Sequence, residues 1–366
     1  MDESPSSDPR VAVIGAGVAG LVAALTCAVR GLRVSVFEEN DRFGGSIHTQ
    51  REAGFIVEHG AEGFAAESPS VSALTDELGL AAALESQLVN RSCAFDGRRL
   101  HALDAGEAAA RLGLRQRSQA GYGIKTFRYG MQQLTDTIVE RLRGRAQLRR
   151  HALVRSVSPS ISGWQLHWGQ SSEQFEAVVL ATGARTAANL LTPIVGAEAT
   201  QLRDAVTLPS LSVSLAYRKE ALPDLPAATG FVLDPGVTLE SCIAGTFSSA
   251  KFPARAPDDF ALLRLFFRPT AEELLHSSEC IRARAERVVA RVFPGSGSAV
   301  RAWEARFPEG FAIMDAEQRA RVAGLERTLE SKTIVLAGSA FHGSGVECAI
   351  RSGTEAARKL SSTLRR

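Results

Sequence analysis

The stretch that decides the fold is Arg10 to Glu38, which reads RVAVIGAGVAGLVAALTCAVRGLRVSVFE. Its apolar opening, Val11 to Ile14, leads into the turn Gly15-Ala16-Gly17-Val18-Ala19-Gly20. A run rich in alanine and leucine follows, and a second run rich in valine ends at Glu38. This order predicts a strand, a glycine turn, a helix and a second strand that ends on an acidic residue.

The three glycines and the acid of this unit have separate physical tasks at a dinucleotide site. Gly15 permits the tight turn, Gly17 lets the backbone approach a pyrophosphate, and Gly20 brings the helix close to the strand. The amide hydrogens and positive dipole end of the helix N-terminus favour an anion. Glu38 is placed to accept hydrogen bonds from a ribose. We therefore predict dinucleotide binding by residues 15–20 and Glu38, the alternative being a glycine-rich structural turn.

Length and charge restrict the class of partner. The chain has 366 residues, enough for about two domains with substantial cores. Its 42 basic and 40 acidic residues give a net charge of +2, which offers no general attraction to nucleic acid or to an anionic membrane. We expect small molecules, and no nucleic acid, as partners.

Cysteine spacing and hydropathy indicate whether the protein has disulfides, a zinc site or a membrane span. The five cysteines lie far apart and form no CxxC pair, which argues against a disulfide framework or a zinc site, so we predict no metal. The opening residues MDESPSSDPR resemble neither a secretory signal nor a basic transit peptide. No apolar run approaches the roughly 18 residues of a membrane span. We expect a cytoplasmic protein.

The pattern along the chain predicts an α/β fold with two domains. Continuous apolar runs at 177–182 and 333–337 are typical of strands buried in a parallel sheet, and they join the opening unit in a Rossmann-like domain assembled from discontinuous segments. Runs at 211–217, 230–233, 243–247 and 262–267 predict an antiparallel sheet in a smaller α+β substrate domain. The predicted division is 1–65, 127–205 and 327–366 for the dinucleotide domain, and 66–126 and 206–326 for the substrate domain.

A second glycine element after Glu38 indicates which dinucleotide is bound. Arg42, Gly44 and Gly45 supply a cation and bare backbone where more pyrophosphate or a flavin would lie. Here the chain resembles the flavoproteins that include amine oxidases and protoporphyrinogen oxidases, in which a C-terminal strand, glycine loop and helix return to the flavin. The resemblance implies FAD as the cofactor. The candidate residues that it adds are Arg42, Gly44, Gly45, Ser46, Gly60, Gly63, Val154, Ala181, Gly338, Gly343, Gly345 and Val346, of which Val154 and Ala181 could equally be ordinary core residues.

Further segments resemble the protoporphyrinogen and coproporphyrinogen oxidases in particular. The run GTFSSAKFPARAPDDFALLRLFF, residues 245–267, is similar to those enzymes rather than to amine oxidases, and residues 54–64 and 127–138 resemble their flavin-domain segments. The resemblance implies that Arg91 meets a substrate propionate, which a guanidinium can bind through two parallel hydrogen bonds. A solvated surface arginine is the alternative. The candidate substrate residues are Arg91, Gly230, Phe231 and Leu233.

The resemblance implies a reaction and also shows where this chain differs. It implies FAD-dependent oxidation of protoporphyrinogen IX or coproporphyrinogen III, with O2 as acceptor, to the porphyrin and H2O2 in heme biosynthesis. No residue is nominated as a catalytic acid or base. The family's long helical insertion, which encloses the tetrapyrrole and docks on a membrane, is replaced here by residues 104–126, so any peripheral membrane contact is weakened. The alternatives are an FAD-dependent amine oxidase or desaturase with a reshaped pocket, and a flavin-binding protein without catalysis.

Overall fold

Strands and helices alternate along the chain. The computed structural model describes residues 8–113, 123–222 and 224–365. The strands in this part are β1 Arg10–Ile14, β2 Arg33–Phe37, β3 Thr49–Glu52, β4 Phe55–Glu58, β5 Phe64–Ala65, β6 Leu84–Ser86, β7 Ser92–Phe95, β8 Leu100–Leu103, β9 Ile124–Phe127, β10 Ala146–Arg149, β11 Val154–Ser160, β12 Gly163–Trp168, β13 Ser171–Phe175, β14 Ala177–Leu180, β15 Thr207–Arg218, β16 Gly230–Leu233, β17 Cys242–Phe247, β18 Phe260–Phe267, β19 Arg301–Ala312 and β20 Ile334–Leu336. The helices are α1 Val18–Val29, α2 Pro69–Leu78, α3 Glu107–Arg111, α4 Gln132–Leu142, α5 Ala184–Val195, α6 Ala197–Thr200, α7 Ser248–Lys251, α8 Ser278–Val292, α9 Ala316–Leu329, α10 Ser339–His342 and α11 Val346–Leu364.

The opening unit forms the centre of a parallel sheet with the order β10-β2-β1-β14-β20. Both continuous apolar runs of the sequence are in it, as β14 and β20. Helices α1, α4 and α11 cover one face, and α5, α9 and the antiparallel sheet β11-β12-β13 cover the other. The predicted fold class is confirmed. Strand β1 lies between β2 and β14, so the strand order changes direction at β1. Parallel sheets of this type bind ligands at such a switch point, beyond the carboxyl ends of the strands.

The second large sheet has the order β19-β15-β18-β17-β16-β7-β8 and is antiparallel except between β16 and β7. Because side chains alternate along a strand, it has two distinct faces. Helix α8 packs on one face, over a large apolar core. The other face carries an apolar group under the hairpin β3-β4 and a second apolar group under α3. Polar side chains of β15 and β18 lie on this face as well.

One helix crosses a predicted domain boundary. Residue 327 falls inside α9, whose buried Val322, Leu325 and Leu329 pack with β14, β20 and α5. The helix as a whole therefore belongs to the core of the parallel sheet. The division into domains stays a prediction.

No helix in the described part of the chain is both long and apolar enough to cross a bilayer. The same residues contain no group of three or more His, Cys, Asp or Glu side chains that could hold a metal ion. All five cysteines are free.

The contact between α1 and α11 gives a prediction for stability. A Cβ on Gly353 of α11 would overlap the carbonyl oxygen of Ala19, whereas a Cβ on Gly324 of α9 would meet only the end of the Arg327 side chain, at 3.8 Å. We expect Gly353→Ala to lower the free energy of unfolding by about 1–3 kcal/mol through overpacking. Gly324→Ala should raise it by about 0.5–1 kcal/mol, since alanine favours a helix. Urea unfolding measures both, and equal effects would contradict the close packing.

Candidate dinucleotide site

The turn after β1 requires glycine at two positions because other parts of the protein backbone lie too close for a side chain. Gly15 has φ +96°, and a Cβ there would lie 2.5 Å from the carbonyl oxygen of Ala181. A Cβ on Gly20 would overlap the carbonyl oxygen of Gly15. The structure therefore explains Gly15 and Gly20 by a tight turn and by the close approach of α1 to the sheet.

Gly17 differs, because nothing in the protein requires a glycine there. Its φ is −68°, which any residue adopts, and the nearest atom to an added Cβ is Gly45 Cα at 3.9 Å. Gly17 is also the N-cap of α1, which has no side-chain cap and no acidic residue in its first turn. The first amide hydrogens and the positive dipole end of α1 thus lie beside open space, a geometry that suits a phosphate.

Glu38 lies next to this turn. Its side chain is almost buried, at 5% exposure, and its Oε2 accepts a hydrogen bond from the Ala16 amide at 3.0 Å. Its Oε1 accepts hydrogen bonds from the Asn40 backbone N–H at 3.0 Å and from Asn40 Nδ2 at 2.7 Å. The carboxylate is therefore held in one orientation against the glycine turn. Its contact with a ribose stays a prediction.

The second glycine element packs directly on the first. The Gly44 amide donates to Ala16 O at 2.8 Å, and a Cβ on Gly45 would lie 2.8 Å from Gly17 Cα. Gly60 in turn leaves no room for a Cβ against the carbonyl oxygen of Ser46. The structure brings these predicted residues together around the open space at Gly17.

Arg42 stabilises the second element from within. Its guanidinium donates to the carbonyl oxygens of Gly45 and of Ile47, the latter at 3.0 Å. Burial lowers the pKa of Arg42, and the nearby carboxylates of Glu38 and Asp41 act against that shift. The side chain holds the loop in shape, and a direct contact with the cofactor stays a prediction.

The C-terminal glycine loop reaches the same place. Gly338, Gly343 and Gly345 have φ between +96° and +106°, and Gly345 is the N-cap of α11. A Cβ on Gly338 would lie 3.6 Å from the Cβ of Ala19 in α1. The N-terminal and C-terminal segments therefore meet at the first turn of α1.

Three predicted residues lie in packed surroundings. Val154 is 4% exposed in the core that includes Phe37, and Ala181 donates its amide to Ile14 O at 2.8 Å. Gly63 packs against Lys125 O and Ile124. Whether these residues also contact a cofactor stays a prediction.

Glu347, which was not singled out from the sequence, links the C-terminal helix α11 to α2 by hydrogen bonds. Its carboxylate accepts hydrogen bonds from the amides of Ser70 and Val71 at 3.0 and 3.1 Å, and from Ser70 Oγ at 2.6 Å. An acid in the first turn of α11 thus caps α2. An acid at the start of a helix is itself a visible signal, but nothing in the sequence indicates a partner 277 residues away.

The predicted substrate residues lie on different parts of the seven-stranded sheet. Arg91 is exposed, and its carbonyl accepts a hydrogen bond from the Thr229 amide at 2.8 Å. Phe231 and Leu233 point to the face under α8, away from the parallel-sheet domain, and Phe231 is 3% exposed. Gly230 lies opposite Thr246 in β17. By alternation Val232 points to the other face, where it packs with the group under α3.

A buried ionic network that the sequence did not predict lies between the two sheets. The Glu62 carboxylate accepts hydrogen bonds from Lys251 Nζ and Ser248 Oγ. Burial alone would raise the pKa of Glu62, but the charge of Lys251 and these hydrogen bonds lower it to about 2. Arg264 of β18 donates to the carbonyl oxygens of His59 and Gly60, both at 2.6 Å. These residues hold the loop that contains Gly60 and Gly63.

Two histidines stack beside the same loop. The rings of His48 and His59 have centroids 4.6 Å apart and an interplanar angle of 18°, and His59 Nε2 lies 3.0 Å from Gln50 Oε1. Burial, with the neighbouring charges of His48 and Arg264, lowers the pKa of His59 to about 4. Both rings are therefore neutral structural groups near pH 7.

The whole arrangement is that of a flavoprotein. Residues 102–361, well over half of the chain, match the sequence family described as flavin containing amine oxidoreductase. The chain belongs to that family. Residues 13–78 also match the NAD(P)-binding Rossmann-like domain. The predicted cofactor, FAD, is confirmed, and the open space at Gly17 with the uncapped N-terminus of α1 fits its pyrophosphate.

Curated relatives of this flavin-containing amine oxidoreductase match over short segments. A coproporphyrinogen III oxidase of Propionibacterium freudenreichii is 45% identical over 75 residues, which are 20% of this chain and 14% of that protein. A protoporphyrinogen oxidase of Arabidopsis thaliana is 46% identical over 74 residues, 20% of this chain and 15% of that protein. These names confirm the resemblance stated from the sequence. The matched segments span about a seventh of each relative's length.

Solved structures match over almost the whole chain. A provisionally named protoporphyrinogen oxidase of Exiguobacterium superposes with a TM-score of 0.86, covering 98% of this chain and 100% of that one at 18% identity. A cyclohexylamine oxidase of Brevibacterium oxydans superposes with a TM-score of 0.75 at 15% identity, covering 98% and 100% of the two chains. At these identities the likeness shows the fold alone.

The depressed pKa of His59 predicts a pH dependence of stability. The unfolded ring binds a proton below its ordinary pKa of 6.5, whereas the folded ring resists protonation down to about pH 4. The free energy of unfolding should therefore fall as the pH drops from about 6.5 to about 4, by about 1–2 kcal/mol for this partly exposed ring. His59→Gln should flatten the curve in urea unfolding, and the exposed His167→Gln should not. A curve unchanged by His59→Gln would contradict the prediction.

Gly17 allows a test of the cofactor site that spares the fold. Gly17→Ala should leave the stability of the apoprotein unchanged within about 0.5 kcal/mol, because the added methyl meets no protein atom closer than 3.9 Å. It should lower FAD retention sharply, since the methyl enters the space assigned to the pyrophosphate. Flavin absorbance per protein after gel filtration measures this, with Gly324→Ala on helix α9 as the control, since its added methyl also meets no atom closer than 3.8 Å. Full flavin content in Gly17→Ala would place the pyrophosphate elsewhere.

Proposed function

We propose that the protein is an FAD-dependent oxidase that removes hydrogens from a porphyrinogen, protoporphyrinogen IX or coproporphyrinogen III, with O2 as acceptor and the porphyrin and H2O2 as products. The observation that carries the proposal is the identity of the matched segments with named porphyrinogen oxidases, 45% and 46%. The porphyrinogen-oxidase-like run at 245–267 supports it, since it forms β17, α7 and β18 against the loop of Gly60 and Gly63.

The bound flavin supplies the hydride acceptor, and the protein's part is binding and orientation. The face of the seven-stranded sheet toward the flavin domain carries an apolar patch, Ala94, Val232, Ala244 and the partly buried Phe266. Because α3 already covers most of this patch, a flat apolar macrocycle would contact its edge at Phe266, which would help to keep water from the bridge carbon that reacts. Arg91, which directly precedes β7 of the same sheet, would receive a propionate.

The second candidate is an FAD-dependent amine oxidase or desaturase with a reshaped pocket. A putrescine oxidase of Kocuria rosea is 41% identical over 70 residues, 19% of this chain, so the flavin segments also match an amine oxidase. The run at 245–267 favours the porphyrinogen. A flavin-binding protein without catalysis is the third candidate, and its mark would be bound FAD that no substrate reduces.

The deciding experiment is aerobic oxidation of both porphyrinogens by the FAD-loaded protein. We expect porphyrin fluorescence and H2O2 to rise with one of them at a rate proportional to enzyme. Putrescine and cyclohexylamine, tested anaerobically for loss of flavin absorbance, cover the second candidate. A flavin-loaded protein that is inert to both porphyrinogens would overturn the proposal, and bleaching by an amine would replace it.

Arg91→Ala tests the propionate contact. Loss of a charge-assisted hydrogen bond should raise the KM for the porphyrinogen about tenfold or more, with flavin content unchanged. Arg98→Ala is the matched control, because Arg98 is an exposed arginine on the same hairpin. Equal KM values for the two variants would show that Arg91 is a solvated surface residue without a propionate contact.

A further inference from the structure

The loop His59–Gly63 is held by side chains of the opposite domain. Arg264 reaches from β18 and donates one guanidinium nitrogen to Gly60 O and another to His59 O, both at 2.6 Å. It also donates to Ser212 Oγ at 3.0 Å. A guanidinium is a planar fork and can hold two successive carbonyls at once, which the single ammonium of a lysine does less well.

Lys251 holds the same loop through a carboxylate. It lies on α7 and is 3% exposed, and it forms an ion pair with Glu62, whose side chain is 10% exposed. Ser248 on the same helix adds its hydroxyl to Glu62. Glu62 stands between Gly60 and Gly63, the two residues of this loop predicted to contact the flavin. Glu62 and the run at 245–267 that resembles the porphyrinogen oxidases are therefore direct partners.

The network contains more positive than negative charge. Its cations are Lys251, Arg264 and Arg255, and its acids are Glu62 and Glu58. Burial raises the pKa of Glu58, although the charge of Arg255 acts against that shift. Arg264 Nε is buried and has no hydrogen-bond partner among the described residues. Burying unbalanced charge costs stability, so packing alone does not account for the network.

We propose that Lys251 and Arg264 are positioning residues, which place the loop His59–Gly63 and supply positive charge beneath it, so that FAD affinity and the flavin's reduction potential depend on the substrate domain. The inference rests on the proposed function only in assigning the flavin to Gly60 and Gly63. The site of the reaction would then be complete only when the two domains are correctly docked. Ser248 and Lys251 belong to the run at 245–267, and their polar atoms contact Glu62 of the loop.

The test uses the full chain and two readouts besides activity: the FAD dissociation constant and the flavin midpoint potential. Arg264→Lys keeps the charge and loses the fork, so FAD should bind about tenfold or more weakly, with little change in potential. Lys251→Met removes a positive charge, so at a pH high enough to keep Glu62 ionised the potential should become more negative, because a nearby cation favours the addition of electrons. Arg287→Met is the control, since it breaks an exposed ion pair with Glu240, 2.9 Å long, and should change neither readout.

A double variant guards against misfolding. Glu62→Gln with Lys251→Met removes both members of the buried ion pair and keeps the network's net charge, so it should fold, recover the wild-type potential and still bind FAD more weakly. Wild-type FAD affinity in this double variant and in Arg264→Lys would overturn the positioning role. An unchanged potential in Lys251→Met would overturn the electrostatic role. A wild-type protein that binds FAD but oxidises no porphyrinogen refutes the proposed function alone, and these measurements still decide the inference.

Discussion

The structure depends on backbone-to-backbone contact around the first turn of α1. Gly20 touches the backbone of Gly15, Gly45 touches Gly17, and Gly353 touches Ala19. Each contact leaves no space for a Cβ, so segments from the start, the second loop and the end of the chain converge on one helix N-terminus. Gly17 has a side that faces open space, and the dipole of α1 points there. The same crowding that closes the fold thus leaves one gap for an anion.

The convergence also joins helices whose own ends would otherwise lack partners. Glu347, in the first turn of α11, satisfies the amides of Ser70 and Val71 at the start of α2. α11 in turn packs along α1 through Gly353. Both contacts hold the N-terminal half of α11, which directly follows the glycine loop of Gly343 and Gly345, and a preorganised helix N-terminus reduces the entropy that binding has to offset.

Glycine turns and apolar runs in the sequence predicted the fold well, whereas the contacts between residues far apart in the sequence were not predicted. The turn at Gly15 and the apolar strands β14 and β20 each carry their signal within a few residues. Strand β10, Ala146–Arg149, has no fully buried residue and reads as polar sequence, so its place at the sheet edge was missed. The ion pair of Glu62 with Lys251 joins positions 189 residues apart, and neither residue type is expected in a core.

The ionic network changes what the family-like run at 245–267 says about the substrate. Its polar atoms at Ser248 and Lys251 contact Glu62, and Arg264 contacts the loop His59–Gly63, so these three residues of the run hold that loop in place. Under the proposed function, the part of the sheet around the apolar patch that includes Phe266 would then contact the substrate. There α3 covers the apolar patch and is held by the ion pair of Arg111 with Asp234. Because α3 already buries Ala94, Val232 and Ala244, a macrocycle would contact only the edge of this patch, at the partly buried Phe266.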